Sequence, residues 1–386
     1  MKIALVTGSR SEFYLLKGLI LRLQKNKKFK LNLIVTGSHL SKFFGSTIHD
    51  IKKEKIRVND KVNISIKGDR EKDIAKSISI GVKSFSKKFN KFKPDLLIIL
   101  GDRYEIYSAA IAACINKIPI AHIHGGEKTK GLIDEGIRHS ITKHSHLHFV
   151  STKTYFKRVQ QLGENKKNIF NVGSLGVEAI KKEKLYLKKK IEKILKIRFD
   201  KKNILVTFHP ETLENRRTNK NNFIKLLKAL KKLKNTTIIF TMPNADVDFK
   251  TILKEIKKFV SSRKNAFFFK SLGHKKYFTL CKNVDLMIGN SSSGIIEMPS
   301  FRKATVNIGD RQGGRVRAQS VIDVDNNTNK ILKSISYSYS KKFKKVLQKV
   351  KNPYDGENTS YKILKILQKI KLKNIIKKSF FDYKIQ

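Results

Sequence analysis

Short runs of β-branched and aliphatic residues alternate with longer, lysine-faced amphipathic stretches along nearly the whole chain, and this rhythm restricts the fold more than any other feature. Runs at 2–7, 31–36, 95–100, 118–123 and 147–151 read as strands in the first half, and runs at 204–208, 237–241, 266–270, 286–289 and 305–308 restart the pattern in the second. Helical spacing fills the intervals, most clearly at 223–234 and 249–260. Strands that alternate with helices make an α/β fold, a parallel sheet covered by helices. Ten strands reach the upper limit for one open sheet. A chain of 386 residues is therefore expected to form two domains, at 1–175 and 176–361, followed by a basic helix at 362–386. The Lys/Leu/Ile run at 181–202 has helical spacing and reads as a surface helix just past the boundary.

The charge balance is unusual, with 84 Lys+Arg against 31 Asp+Glu and a formal net charge of +53. Such a charge ordinarily points to nucleic acid or an anionic membrane. Here the lysines are spread along the chain and accompany an excess of Ile, Asn and Phe with no Trp, so the bias reads as compositional, and no nucleic-acid-binding motif supports it. No membrane or nucleic-acid partner is expected, although the field favours an anionic substrate. No apolar run has the length to cross a bilayer, and the first residues read as a strand rather than a cleaved leader. Cys114 and Cys281 stand alone without ligand spacing, which fits a reducing cytoplasm. His122 and His124, and His144, His146 and His148, alternate along two runs without accompanying Cys or Asp at a metal-site spacing, so no metal is expected.

Neither half carries GxGxxG or GxxxxGK[ST], and a bound nucleotide must be held in another way. In open α/β sheets ligands collect at the carboxyl ends of strands, which directs attention to the residues just after each run. In the first half these are Thr7-Gly8-Ser9-Arg10, Gly101-Asp102-Arg103-Tyr104-Glu105 and His124-Gly125-Gly126-Glu127, with Asp134-Glu135 and Arg138-His139 following. Carboxylates gathered at strand ends raise one another's pKa, so that one can act as acid while another acts as base. In the second half, the run at 204–208 ends in His209-Pro210-Glu211-Thr212, and the run at 286–289 ends in Asn290-Ser291-Ser292-Ser293-Gly294 with Glu297 a turn later. Backbone donors and hydroxyls at a helix start suit a diphosphate, and Glu297 suits a ribose diol. Arg311, with Arg315 behind it, supplies cations on a glycine-rich loop.

Taken together these motifs resemble the hydrolysing UDP-N-acetylglucosamine 2-epimerases of bacterial sialic-acid synthesis, in the same order from the first strand to about Asn352. Arg103 after Gly-Asp and the His-Gly-Gly-Glu form favour the hydrolysing branch over the non-hydrolysing one. The resemblance implies a glycosyltransferase-B fold, with two Rossmann-like doubly wound domains facing a central cleft and the C-terminal helix returning to the first domain. It implies Asp102, Glu127 and Asp134 as catalytic carboxylates together with His209, and Arg10, Arg103, Arg138, His209, Ser291, Ser292, Glu297 and Arg311 as residues that hold the sugar nucleotide. It implies no cofactor, and a homo-oligomer in the cytoplasm. UDP-N-acetylglucosamine would give UDP and N-acetylmannosamine. Relatives acting on a GDP- or UDP-linked diacetamido-trideoxy-hexose carry very similar motifs, so uracil and guanine are not separated. A glycosyltransferase of the same fold is the rival enzyme, but it leaves the carboxylates of the first half without a role.

Overall fold

The computed structural model describes residues 1–64, 68, 70–244 and 246–383. Among these residues the chain divides into two compact units. Unit 1 comprises Met1–Glu127, Asp134–Ala179 and Tyr354–Gln386, and unit 2 comprises Lys128–Ile133 and Ile180–Pro353. The chain thus passes between units at 179/180 and 353/354, beside rather than at the expected 175/176 and 361/362, and the short segment Lys128–Ile133 is lent to unit 2.

Unit 1 is built on a parallel sheet of β1 (Lys2–Thr7), β2 (Lys30–Thr36), β3 (Asp60–Val62), β4 (Leu96–Leu100), β5 (Ile120–Ile123), β6 (Leu147–Val150) and β7 (Ile169–Asn171), in the order β3-β2-β1-β4-β5-β6-β7. Side chains on a strand alternate between faces, and the core divides accordingly. Ile3 and Leu5 of β1, with Leu96, Ile98 and Leu100 of β4, enter one apolar cluster, whereas Ala4, Val6, Leu97 and Ile99 enter the cluster on the other face. All five residues of β4 are buried, so a central parallel strand reads as one unbroken apolar run.

Unit 2 repeats the plan with β8 (Lys202–Thr207), β9 (Thr236–Thr241), β10 (Ala266–Phe269), β11 (Leu286–Gly289), β12 (Ala304–Ile308) and β13 (Val321–Val324), in the order β10-β9-β8-β11-β12-β13. Ile204 and Val206 face one cluster, and Leu205 faces the other. Both units are therefore doubly wound, and strand order reverses at β1/β4 in the first and at β8/β11 in the second. Crevices at such reversals, beyond the carboxyl ends of the strands, are where ligands bind in this architecture.

The ten expected strands are present, and the structure adds β3, β7 and β13. These three are edge strands of three or four residues, too short for a period-2 pattern to register. The expected helix over 181–202 is also corrected. Helix Leu175–Lys182 ends within the first residues of that stretch, a separate helix Lys188–Leu195 occupies its middle and is ended by Lys196 in the left-handed region, and β8 already begins at Lys202.

The last helix, Thr359–Lys369, packs on unit 1, where Ile363, Leu364 and Leu367 join the cluster that also holds Leu16 and Leu19 of helix Arg10–Lys25. Ser360 fixes it: its backbone N–H and hydroxyl both donate to the buried Glu178 carboxylate, at 2.6 and 2.8 Å, and Arg22 Nε donates to its oxygen at 3.0 Å. Among the described residues, no helix is long and apolar enough to cross a membrane.

Candidate active site

At the end of β1 the chain turns through Gly8 into a helix capped by Ser9, whose side chain accepts from Glu12 N–H. Arg10 is the first residue of that helix and is half-buried. The turn is held from beneath. Gly8 N–H donates to Glu12 Oε2 at 2.7 Å, and the Gly8 carbonyl accepts from Ser38 N–H at 2.8 Å. Gly37 has φ +61°, and a Cβ there would lie 2.5 Å from the Gly8 oxygen, so glycine is required for this approach. Arg103 Nε pairs with the buried Glu105 at 2.8 Å. Burial, reinforced by the neighbouring Glu105 and opposed by Arg103, pushes Glu12 up to about 8. Burial thus favours the acid form of Glu12 over its carboxylate.

Beyond β4 and β5 lie the expected carboxylates, with Arg138 among them. Its side chain is 1% exposed and pairs with Asp102 and, at 3.2 Å, with Glu135, while Nη1 also donates to the Glu127 carbonyl at 3.1 Å. Arg138, expected to hold substrate, is buried with the Asp102 and Glu135 carboxylates and the Glu127 backbone carbonyl as acceptors, as a buried guanidinium needs several of them. Glu127 is 2% exposed, with Oε1 3.1 Å from His124 Nδ1 and 3.4 Å from Ser151 Oγ. Asp102 is half-buried, and Asp134 is a half-buried residue at the start of helix Asp134–His144.

The histidines are engaged individually. His122 Nε2 bonds the Gly101 carbonyl at 2.8 Å, and burial pushes its pKa down to about 3, so the neutral ring donates. His146 Nδ1 accepts from Ile120 N–H, and His148 bonds Glu164 at 3.0 Å. Among the described residues, no three His, Cys, Asp or Glu side chains are arranged to hold a metal ion.

In unit 2, Asn290 bridges the strand-order reversal, accepting from His209 N–H and donating to the His209 carbonyl, both at 2.8 Å. Gly289 before it has φ +136°, and any Cβ would collide with the Thr207 carbonyl. His209 is buried, and its Nδ1 accepts from Asn244 N–H at 3.0 Å, which leaves the proton of the neutral ring on Nε2. Ser291 caps the helix Ser292–Ile296, accepting from Ser293 N–H, and Glu297 closes it. With five residues this helix has little macrodipole, so the turn offers N–H groups and hydroxyls rather than a helix field. Ser293 Oγ donates to Glu297 Oε2. Arg311 is buried against Asp246 at 3.2 Å, and Gln312 Nε2 donates to the Asn290 carbonyl at 2.9 Å. Lys130 N–H donates to the Gly313 carbonyl and Ile133 N–H to Thr212 Oγ1, which seats the borrowed segment Lys128–Ile133 on the loops of unit 2.

The structure therefore distributes the expected residues between the units: Arg10, Asp102, Arg103, Glu127, Asp134 and Arg138 in unit 1, and His209, Ser291, Ser292, Glu297 and Arg311 in unit 2. Sequence reasoning missed Asp246 and Tyr277, which lie outside the strand-end motifs, and the pairing of His124 with Glu127. For the last a signal existed, because the two are three residues apart around the tight Gly125-Gly126 turn.

Comparison with known proteins agrees over almost the whole chain. The family described as UDP-N-acetylglucosamine 2-epimerase matches residues 21–368. The chain is 43% identical over 383 residues to a GDP/UDP-N,N'-diacetylbacillosamine 2-epimerase (hydrolyzing) of Campylobacter jejuni, with 99% of each chain covered. It is 43% identical over 384 residues to the polysialic acid biosynthesis protein P7 of Escherichia coli, covering 99% of this chain and 97% of that one. In fold it matches the crystal structure of the UDP-GlcNAc 2-epimerase from Neisseria meningitidis bound to UDP-GlcNAc, with a TM-score of 0.82 at 21% identity over 96% of this chain and all of that one.

Proposed function

The chain belongs to the UDP-N-acetylglucosamine 2-epimerase family, and from that membership we propose that it is a hydrolysing 2-epimerase that converts UDP-N-acetylglucosamine and water to UDP and N-acetylmannosamine. The observation that carries the hydrolysing branch is the 43% identity, over 99% of each chain, to a relative named as a hydrolysing epimerase. The Asp102 carboxylate paired with Arg138 and the Glu127 carboxylate held by His124 in unit 1, and the serine turn with Glu297 in unit 2, support the chemistry.

In this reading a carboxylate among Asp102, Glu127 and Asp134 removes the C2 proton. The C–H electron pair forms the C1–C2 double bond, the C1–O bond breaks, and UDP leaves with the bridging oxygen. Arg10, Arg103, Arg311, the Ser291-Ser292 turn and the Nε2–H of His209 stabilise the departing diphosphate, and Glu297 accepts from the ribose diol. Water then gives one proton to a carboxylate and adds its hydroxyl to C1 of the glycal, while a carboxylic acid delivers a proton to the opposite face of C2. Arg138 serves to orient the Asp102 carboxylate directly and the Glu127 backbone through its carbonyl.

A second reading keeps the reaction and changes the sugar. The name of the Campylobacter jejuni relative favours a GDP- or UDP-linked N,N'-diacetylbacillosamine, whereas the name of the Escherichia coli relative favours the sialic-acid route. Incubating the purified protein in deuterium oxide with a panel of UDP- and GDP-linked sugars decides both questions. The expected result is release of a C2-inverted sugar carrying deuterium at C2, fastest from UDP-N-acetylglucosamine. Fastest turnover of the diacetamido sugar would select the second reading, and C2 protium fully retained in the product would overturn elimination altogether.

A further inference from the structure

Tyr277, on helix His274–Asn283, places its hydroxyl 2.6 Å from Ser293 Oγ. Ser293 lies one turn before Glu297 and donates to Glu297 Oε2. A serine hydroxyl has a single proton, and here it goes to the carboxylate, so the proton between Tyr277 and Ser293 belongs to the phenol. The three groups form a one-way chain whose protons all point toward Glu297, each bond polarising the next. Burial, reinforced by the neighbouring Cys281 and Glu297, pushes the Tyr277 phenol well above its ordinary range, and this keeps it a donor.

A glutamate has three rotatable bonds, and binding the two hydroxyls of a ribose requires its carboxylate to be held in one plane. Ser293 pins one oxygen, and Tyr277 pins Ser293. We propose that Tyr277, acting through Ser293, is a positioning residue that fixes the Glu297 carboxylate for a ribose 2',3'-diol and so makes unit 2 selective for ribonucleotides over 2'-deoxyribonucleotides. The proposal rests on the reading above that Glu297 accepts from the ribose.

The test is calorimetric binding of UDP and of 2'-deoxy-UDP to the intact protein. The comparison takes the natural chain, Tyr277→Phe, Ser293→Ala, Ser293→Thr, Glu297→Gln and the double variant Tyr277→Phe/Glu297→Gln. The natural chain is expected to prefer UDP by about tenfold or more, the scale of a lost charge-assisted hydrogen bond. Tyr277→Phe and Ser293→Ala are expected to remove most of that preference by weakening UDP alone, with Ser293→Thr retaining it. Tyr277→Phe is expected to add nothing in the Glu297→Gln background, and in turnover its effect is read in KM rather than in kcat. Equal weakening of both nucleotides by Tyr277→Phe, additivity with Glu297→Gln, or an unchanged preference would overturn the proposal. If the natural chain and Glu297→Gln bind the two nucleotides alike, the ribose role of Glu297 itself fails, and the inference fails with it.

Discussion

His124 places Nδ1 3.1 Å from Oε1 of Glu127, and both side chains are buried. The contact is made possible by the tight turn through Gly125 and Gly126, at which His124 takes φ +69°. A carboxylate so enclosed has its direction set by the groups that touch it.

That relationship makes His124 a positioning group for Glu127. Glu127→Gln is expected to lower turnover by about 100-fold or more, as for loss of an acid or base. His124→Gln is expected to lower it by roughly 10- to 100-fold, the scale of a misplaced catalytic group. The double variant should be no slower than Glu127→Gln alone, because groups acting as a unit are not additive. Steady-state kinetics on variants with unchanged melting behaviour check this, and full additivity would separate the two roles.

Arg138 is expected to matter for stability as well as turnover. Arg138→Gln leaves Asp102 and Glu135 without their shared cation, and breaking a buried pair from one side costs about 3 kcal/mol. Chemical denaturation measures the stability. Turnover at a temperature where the variant is fully folded should also fall, and a stable variant with normal turnover would contradict the role assigned to Arg138.

Glu12 gives the stability curve a slope on the neutral side. Its carboxyl stands at about 8 when folded, against an ordinary value of 4.5. Over that interval the folded state binds more protons than the unfolded one. The contribution of Glu12 is therefore complete below about 4.5 and is lost as pH rises through about 8. Glu12→Gln should flatten the decline in unfolding free energy between pH 5 and 8, a window taken from the same linkage. An identical slope in both proteins would show that Glu12 is ionised throughout.

Glu164 acts in the opposite direction. Burial raises its pKa, but His148, Lys143 and Lys378 outweigh that and hold it at about 2. The stabilisation is present above the ordinary value of 4.5 and is lost as pH falls through about 2. Lys143 and Lys378 both donate to Glu164 Oε1 at 2.8 Å, and Tyr383 donates to the Glu164 carbonyl at 2.8 Å, so this site also fastens residues 378–383. Glu164→Gln is expected to cost about 2 kcal/mol, discounted from the fully buried case because both ammonium groups keep some solvent. It should also speed proteolysis and amide exchange after residue 370. Unchanged protection there would show that the Phe381 N–H bond to the Gly163 carbonyl and the stacking of Lys143 on the Phe380 ring suffice.

Much of the architecture was legible because it rests on local periodicity. The unbroken apolar runs at 96–100 and 3–6 announce a parallel sheet covered on both faces before any contact is known. Strand-end motifs such as Gly101-Asp102-Arg103 and Asn290-Ser291-Ser292 were legible for the same reason, since a doubly wound fold puts ligands where its strands stop. The edge strands β3 and β13 were not, because they exist only through pairing with a longer neighbour.

The sequence by itself thus determined which residues sit at the strand ends, since that depends on hydrophobic pattern and turn chemistry within a few positions. Only the tertiary structure decided what those residues touch. It buried Arg138 among Asp102, Glu127 and Glu135, set Arg311 against Asp246, 65 positions away, and joined Tyr277 to Glu297 through Ser293. Glu135 and Ser293 are local, three and four positions from Arg138 and Glu297, but Asp102, Asp246 and Tyr277 come from other elements of the same unit. Buried charge must then find acceptors wherever the fold supplies them, and no local spacing records where that will be.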